Sequence, residues 1–71
     1  MNKPLSPRQS DALQAIRDYI EVCGYPPTLR ELAKHMSISI HAANGHLIGL
    51  EKKGAIKRTE GVARGIAVLA K

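Results

Sequence analysis

The stretch that decides the fold is GYPPTLRELAKHMSISIHAANGHLIGLEKKGAIKR, residues 24–58. It opens with two prolines, which disfavour a helix upstream, and continues with TLRE, in which Thr28 and Glu31 have the spacing of a capping box. A short turn at Ser37 separates this helix from another, for which Ser39 is the expected N-cap. Two short helices joined by a tight turn are typical of a helix-turn-helix unit.

A longer helix is predicted upstream, over residues 7–23. Ser6 has a suitable N-cap side chain, Pro7 occupies the first helical position, and Gln9 completes a capping box. At about 100° per residue, the apolar positions form a single stripe, which indicates a helix with one buried face. This stripe consists of Ala12, Leu13, Ile16, Tyr19, Ile20 and Cys23. Gly24 is expected to end the helix in a left-handed conformation.

The two helices of the central stretch are predicted over about residues 29–36 and 40–53. The apolar positions that should be buried are Leu29, Leu32, Ala33 and Met36 in the first, and Ile40, Ala43, Leu47 and Leu50 in the second. The opposite face of the second collects His41, Gly45, Ile48 and Lys52. Glycines within a helix cost about 1 kcal/mol each relative to alanine. Gly45 and Gly49 therefore either allow another molecule to approach closely or are simply tolerated.

The pattern changes after Gly54 to two extended segments, about residues 55–59 and 65–69. They are separated by Glu60, Gly61, Val62, Ala63 and Arg64, a normal length for a hairpin loop. Ile56, Ile66 and Val68 are expected to point inward. A hairpin that follows a helix-turn-helix is a wing. The sequence thus predicts a single, mostly α domain over residues 1–71, a three-helix winged helix-turn-helix with a small β-hairpin.

The charge of the chain favours a polyanionic partner. The net charge is +5, with five basic and four acidic residues in 1–35 but six basic and two acidic residues in 36–71. A soluble basic domain most often binds nucleic acid, and the alternative is a solvated basic surface with no partner. The single cysteine excludes an internal disulfide, and no signal peptide or membrane span is evident. We expect a cytoplasmic protein.

The sequence offers little support for catalysis. His41 and His46 are five residues apart, about 140° around a helix, so they do not form a metal site with a shared face. The serines lack a GxSxG context, and no glycine-rich phosphate loop is present. The prediction is that the chain is not an enzyme and binds neither a metal ion nor a cofactor.

Four segments in this order resemble the N-terminal DNA-binding domain of the LexA repressors, which control the bacterial DNA-damage (SOS) response. They are GYPPTLREL at 24–32, HL at 46–47, LEKKGAIKR at 50–58 and ARGI at 63–66, and the likeness extends from Leu5 to Leu69. The resemblance implies that the third helix lies in the major groove and the wing lies against the backbone. The chain departs from the family pattern in a turn one residue shorter, in Ser37 where glycine is usual, and in Gly45 and Ile48 where polar residues are common.

The resemblance also implies which residues contact DNA. The base-facing residues implied by the resemblance are Ser39, His41, Ala42, Asn44 and Gly45. From the chemistry of the groove, the residues expected on the DNA backbone are Thr28, Ile48, Lys52, Lys53, Arg58 and Arg64. Asn44 has the groups for a bidentate contact with adenine, and His41 can donate to a purine N7 or a phosphate. The alternatives are that Asn44 is a solvated border residue and that Lys52 and Lys53 only favour the helix C-terminus.

The implied partner is a double-stranded operator with palindromic half-sites, and the expected location is the cytoplasm, in association with the nucleoid. In the family, a C-terminal half absent from this chain carries the self-cleaving serine and lysine and the main contacts of the homodimer, so we expect an isolated domain or a stand-alone relative. The alternative function is a winged-helix module that binds a protein through Ile48 and the glycine face. The cluster of Lys and Arg favours DNA, because the centres of protein interfaces are depleted of charge.

Overall fold

The computed structural model describes residues 4–59 and 61–69. Its elements in chain order are α1 (Pro7–Cys23), α2 (Leu29–Met36), α3 (Ile40–Lys52), β1 (Ile56–Arg58) and β2 (Ile66–Val68). The strands pair antiparallel, so the predicted fold class, three helices and a small hairpin, is confirmed. Helix α3 ends one residue before its expected end. Glu60, which the sequence assigns to the wing loop, lies outside the described residues.

Local side chains fix where each helix begins. Ser6 Oγ accepts from the amide of Gln9 at 3.2 Å, and the Gln9 side chain accepts from the Ser6 amide at 3.1 Å, which is a complete capping box. Thr28 and Glu31 form a second box, with bonds of 2.8 and 3.1 Å. Ser39 caps α3 by accepting from the amide of Ala42 at 3.0 Å. Each bond satisfies an amide that the first turn would otherwise leave unpaired.

The turn between α2 and α3 holds a serine in a left-handed conformation. Ser37 has φ 58° and ψ 43°, and it is the one non-glycine residue of the described chain with a positive φ. The amide of Ile38 donates to the carbonyl of Ala33 at 3.0 Å, while the Ser37 amide donates to Lys34 at 3.1 Å. This is the hydrogen-bond pattern with which helices commonly end on glycine. Ile38, which follows Ser37 in the turn, is half-buried.

The core is aliphatic and thin, and all three helices and both strands contribute to it. Its buried members are Ala12, Leu13, Ala15, Ile16, Leu32, Ala33, Ala43, Leu47, Leu50, Ala55, Ile56 and Ile66. Two residues predicted to be buried are not. Ile40 is 43% exposed and Cys23 is exposed; Ile40 is the first residue of α3 and Cys23 is the last residue of α1.

The wing is set by the alternation of its strands. Ile56 pairs with Val68, Lys57 with Ala67, and Arg58 with Ile66. Ile56 and Ile66 are buried, and Val68 packs against the core, as predicted. Lys57 and Ala67 face solvent, so Arg58, two residues after Ile56, lies on the inner side of β1.

Candidate nucleic-acid interface

Helix α3 presents one face that no other element of the described residues covers. Its exposed residues His41, Gly45, Ile48 and Lys52 lie on one side of the helix and are called here the α3 outer face. The buried side, with Ala43, Leu47 and Leu50, packs against the rest of the domain. At Gly45 an added Cβ would meet no atom within 4 Å, so the backbone itself is open to an approaching molecule.

The residues expected to read bases surround the first turns of this face. Ser39 and His41 are exposed, and Ala42 and Asn44 are half-buried on its borders. The Ser39 hydroxyl oxygen already accepts from Ala42, which leaves its proton as a donor. Ile48, 39% exposed, places an apolar side chain at the middle of the face. The outer face therefore offers donors at one end, an apolar centre, and the Lys52 ammonium at the other end.

Arg58 does not project from the wing but bonds back to α3. Its Nε donates to Glu51 Oε1 at 2.7 Å, and its Nη1 donates to Asn44 Oδ1 at 3.1 Å. Sequence reasoning missed this arrangement, although the alternation of β1 could have revealed it, because Arg58 shares a strand face with buried Ile56.

Lys53 is turned toward the start of α1. Its ammonium donates to the carbonyl of Pro4 at 2.9 Å and to Gln9 Oε1 at 2.7 Å. A side chain on Gly49 would collide with the end of the same Gln9 side chain, so glycine leaves room for this contact. Lys52 is exposed, and within the described residues it makes no hydrogen bond or ion pair. The two neighbouring lysines thus have different surroundings.

Arg64 fastens the wing to the start of α2. Its guanidinium donates to Glu31 Oε1 at 2.7 Å and Oε2 at 3.0 Å, and to the carbonyl of Pro26 at 3.0 Å. The guanidinium carbon lies 4.4 Å from the centre of the Tyr25 ring, within cation–π range. We call this group, Arg64 with Glu31, Pro26 and Tyr25, the wing clasp.

The contacts of the clasp shift the pKa values of Glu31 and Arg64. The hydrogen bond from Arg64, followed by that from the Thr28 amide, lowers the pKa of Glu31 to about 2. The same contact raises the pKa of Arg64. Desolvation raises the pKa of Tyr19, which also interacts with Arg64 and Glu31. Glu31 therefore closes the first turn of α2 and fastens the wing with a single ionised carboxylate.

Two sets of the predicted backbone-contact residues lie apart in space. Thr28 and Arg64 meet at the clasp through Glu31, whereas Lys52, Arg58 and Ile48 lie toward the C-terminal part of α3.

Within residues 4–59 and 61–69, no group of three His, Cys, Asp or Glu side chains could hold a metal ion. None of the helices in the same residues is both long and apolar enough to cross a membrane.

A family model described as the LexA DNA-binding domain matches residues 2–65. The chain belongs to this LexA DNA-binding domain family. The match begins before α1 and ends at Gly65, within the ARGI segment. It includes every residue of the α3 outer face and of the wing clasp.

Known relatives agree with the family match. A LexA repressor of Citrifermentans bemidjiense is 49% identical over 65 residues, which is 90% of this chain and 32% of the relative. A LexA repressor of Geobacter sp. strain M21 has the same identity and coverage. That of Thermotoga petrophila is 46% identical over 66 residues, 93% of this chain and 34% of the relative. The chain thus spans about a third of the length of the curated relatives it matches.

Proposed function

We propose that this chain binds double-stranded DNA in a sequence-dependent manner, as the DNA-binding part of a repressor of the LexA type. Membership of the LexA DNA-binding domain family over residues 2–65 carries the proposal. The uncovered α3 outer face supports it, because a recognition helix must be free on the side that enters the major groove. Transcription would be blocked by occupancy of an operator that controls genes of the DNA-damage response.

In this proposal, α3 enters the major groove by its N-terminal turns. Ser39, His41 and Asn44 supply polar groups for base edges, Ala42 supplies a methyl group for thymine, and Gly45 allows close approach of the backbone. These contacts determine the sequence preference. The preference is expected to differ from that of relatives with polar side chains in place of Gly45 and Ile48.

The contacts to phosphates set register and most of the affinity. Lys52 is the best placed of the predicted cations, because it is exposed at the end of the outer face. Thr28 can donate its hydroxyl proton to a phosphate while its oxygen accepts from Glu31. Lys53, Arg58 and Arg64 would have to share existing bonds with DNA, so we assign them smaller direct contributions.

Selection from a random pool of duplexes tests the proposal directly. The chain is incubated with the pool at low ionic strength, bound duplexes are sequenced, and the enriched motif is read. A defined motif of a few base pairs is expected, in two inverted copies if two chains bind together at an operator. Bound duplexes that share no sequence motif would contradict the proposal. That result would favour the alternative, a winged-helix module that binds a protein through Ile48 and the glycine face.

Salt dependence then tests the phosphate contact of Lys52. Lys52→Ala should weaken binding to all sequences alike and reduce the slope of log K against log salt by about 1, because one fewer counterion is released. Arg8→Ala is the matched control, since it removes one positive charge from an exposed site on α1. Equal slopes for the two variants would remove Lys52 from the interface.

A further inference from the structure

The position of Arg58 follows from the pleat of β1. Residues 56–58 alternate between buried, exposed and half-buried, so the side chain of Arg58 lies on the same side of the strand as Ile56. Lys57, between them, faces solvent. Of these two adjacent cations, only Arg58 is directed at α3.

The guanidinium of Arg58 spans two turns of α3. Asn44 and Glu51 are seven residues apart, which places both on the same side of the helix. Arg58 Nε donates to Glu51 Oε1 at 2.7 Å in an ion pair, and Arg58 Nη1 donates to Asn44 Oδ1 at 3.1 Å. All three side chains are half-buried, so they are partly shielded from competing water. Glu51 thus holds Arg58, and Arg58 holds Asn44.

This contact fixes which end of the Asn44 amide faces outward. A guanidinium has five N–H donors and no acceptor, so only the oxygen of the carboxamide can meet it. The oxygen is turned toward Arg58, and the NH₂ group is left for other partners. A bidentate contact with adenine needs the oxygen and the nitrogen to face the same base edge. The bond to Arg58 opposes that arrangement.

We propose that Arg58 is a specificity-determining positioning residue, which makes Asn44 a hydrogen-bond donor toward the major groove. The inference rests on the proposed function, since it concerns how α3 reads bases. Guanine O6 and N7, adenine N7 and thymine O4 can accept from the Asn44 NH₂ group, whereas the major-groove edge of cytosine offers an amino donor. Cytosine is therefore disfavoured at the position that faces Asn44. Adenine loses the advantage that a bidentate contact would give it over guanine and thymine.

The test compares four duplexes that differ only at the base pair facing Asn44. That position is identified in the selected motif as the one at which Asn44→Ala abolishes discrimination. With the unaltered chain, cytosine at this position should bind about fivefold more weakly than the best base, the value of one hydrogen bond of about 1 kcal/mol. A difference below about twofold would overturn the inference, twofold being about 0.4 kcal/mol.

Arg58→Met removes the bond to Asn44 and keeps an apolar stem over α3. The amide is then released, so adenine should become the preferred base by its bidentate contact. Lys57→Met is the matched control, because it removes the same charge from the adjacent residue and does not touch Asn44. It should weaken all four duplexes alike and keep their ranking. An unchanged ranking in Arg58→Met would overturn the inference.

Asn44→Asp gives a second test that keeps the anchoring arginine and both strands of the wing. The aspartate can pair with Arg58 but has no N–H group, so its remaining lone pairs can only accept. The bases with an amino donor in the major groove, cytosine through N4 and adenine through N6, should then be favoured at this position, so cytosine should no longer be the weakest base. A ranking that still disfavours cytosine would contradict the inference. If no motif emerges from the pool at all, the proposed function fails; if a motif emerges with these rankings unaltered, only the role of Arg58 fails.

Discussion

At the scale of single residues, the conformation of Ser37 is the clearest departure from what its side chain prefers. A left-handed backbone costs roughly 1–2 kcal/mol for a residue with a Cβ, and the cost is absent for glycine. Ser37 nonetheless ends α2 with φ 58°, and both hydrogen bonds of the helix end are formed. The domain tolerates this strain because the packing of α2 and α3 determines the path of the turn.

Ser37→Gly is therefore expected to stabilise the domain by roughly 0.5–1 kcal/mol, after the greater freedom of glycine in the unfolded chain is subtracted. In thermal unfolding this corresponds to an increase in Tm of roughly 2–8 °C for a domain of this size. Ser37→Ala is the control, since alanine has the same conformational cost and should bring no gain. A Ser37→Gly chain no more stable than Ser37→Ala would show that the turn is unstrained.

At the scale of elements, the wing is held by two cationic side chains and its apolar residues. Arg64 fastens the loop to the start of α2, and Arg58 fastens β1 to α3. Gly65 is required directly after Arg64, because a Cβ there would lie 2.8 Å from the carbonyl oxygen of Thr59. The orientation of the wing relative to α3 is thus fixed before any partner binds.

Because of the wing clasp, the stability of the folded domain is expected to decrease at acidic pH. The pKa of Glu31 is lowered to about 2 in the folded domain, mainly by the hydrogen bond from Arg64. The resulting stabilisation is complete above the unfolded pKa of about 4.3 and is lost as the pH falls through about 2. Glu31→Gln removes this term, so its Tm should be below that of the unaltered chain at neutral pH.

The comparison is made by thermal unfolding between pH 7 and pH 2. The difference in Tm between the unaltered chain and Glu31→Gln should shrink as the pH falls from about 4.3 to about 2. Arg64→Gln should behave in the same way, and the double variant should lose little more than either single one, because both remove one interaction. Additive losses would mean that Glu31 and Arg64 act separately.

Local features of the fold could be predicted from the sequence, and distant pairings could not. The caps at Ser6, Thr28 and Ser39 depend on residues at most three positions away, so their spacing is sufficient to identify them. The partners of Lys53 and Arg64 are 44 and 33 residues away, and only the packed structure brings them together. The candidate contact residues could therefore be nominated from the sequence, but the partners that each of them has in the fold could not be predicted.

At the scale of the whole molecule, size limits how much of a duplex one chain could contact under the proposed function. The domain measures 30 × 24 × 21 Å. Successive major grooves on one face of a duplex are about 34 Å apart, which exceeds its longest dimension. Under the proposed function, a single copy would therefore reach one groove, and an operator with two half-sites would require two chains.

The thin core makes stability sensitive to single substitutions. A domain of 71 residues is expected to have a free energy of unfolding of roughly 4–11 kcal/mol. Leu47, 1% exposed, packs at the centre, and Leu47→Ala should cost about 2–5 kcal/mol, as measured by urea unfolding. Leu47→Met should cost less than about 1.5 kcal/mol, because it conserves volume.

Leu69→Ala provides the control for Leu47→Ala. It makes the same chemical change at a side chain that is 55% exposed, and it should alter stability by no more than about 0.5 kcal/mol. Similar losses at both positions would indicate that the core does not centre on α3.

The two tyrosines at the wing clasp, Tyr25 within it and Tyr19 beside it on α1, give the protein a built-in fluorescence reporter. The sequence has no Trp and no Phe, and its two tyrosines, Tyr19 and Tyr25, lie with ring centres 6.1 Å apart beside Arg64. All intrinsic ultraviolet emission therefore arises at the place where the wing meets the helices. Detachment of the wing can be followed by the tyrosine fluorescence of the unlabelled protein, whereas circular dichroism follows the melting of the helices.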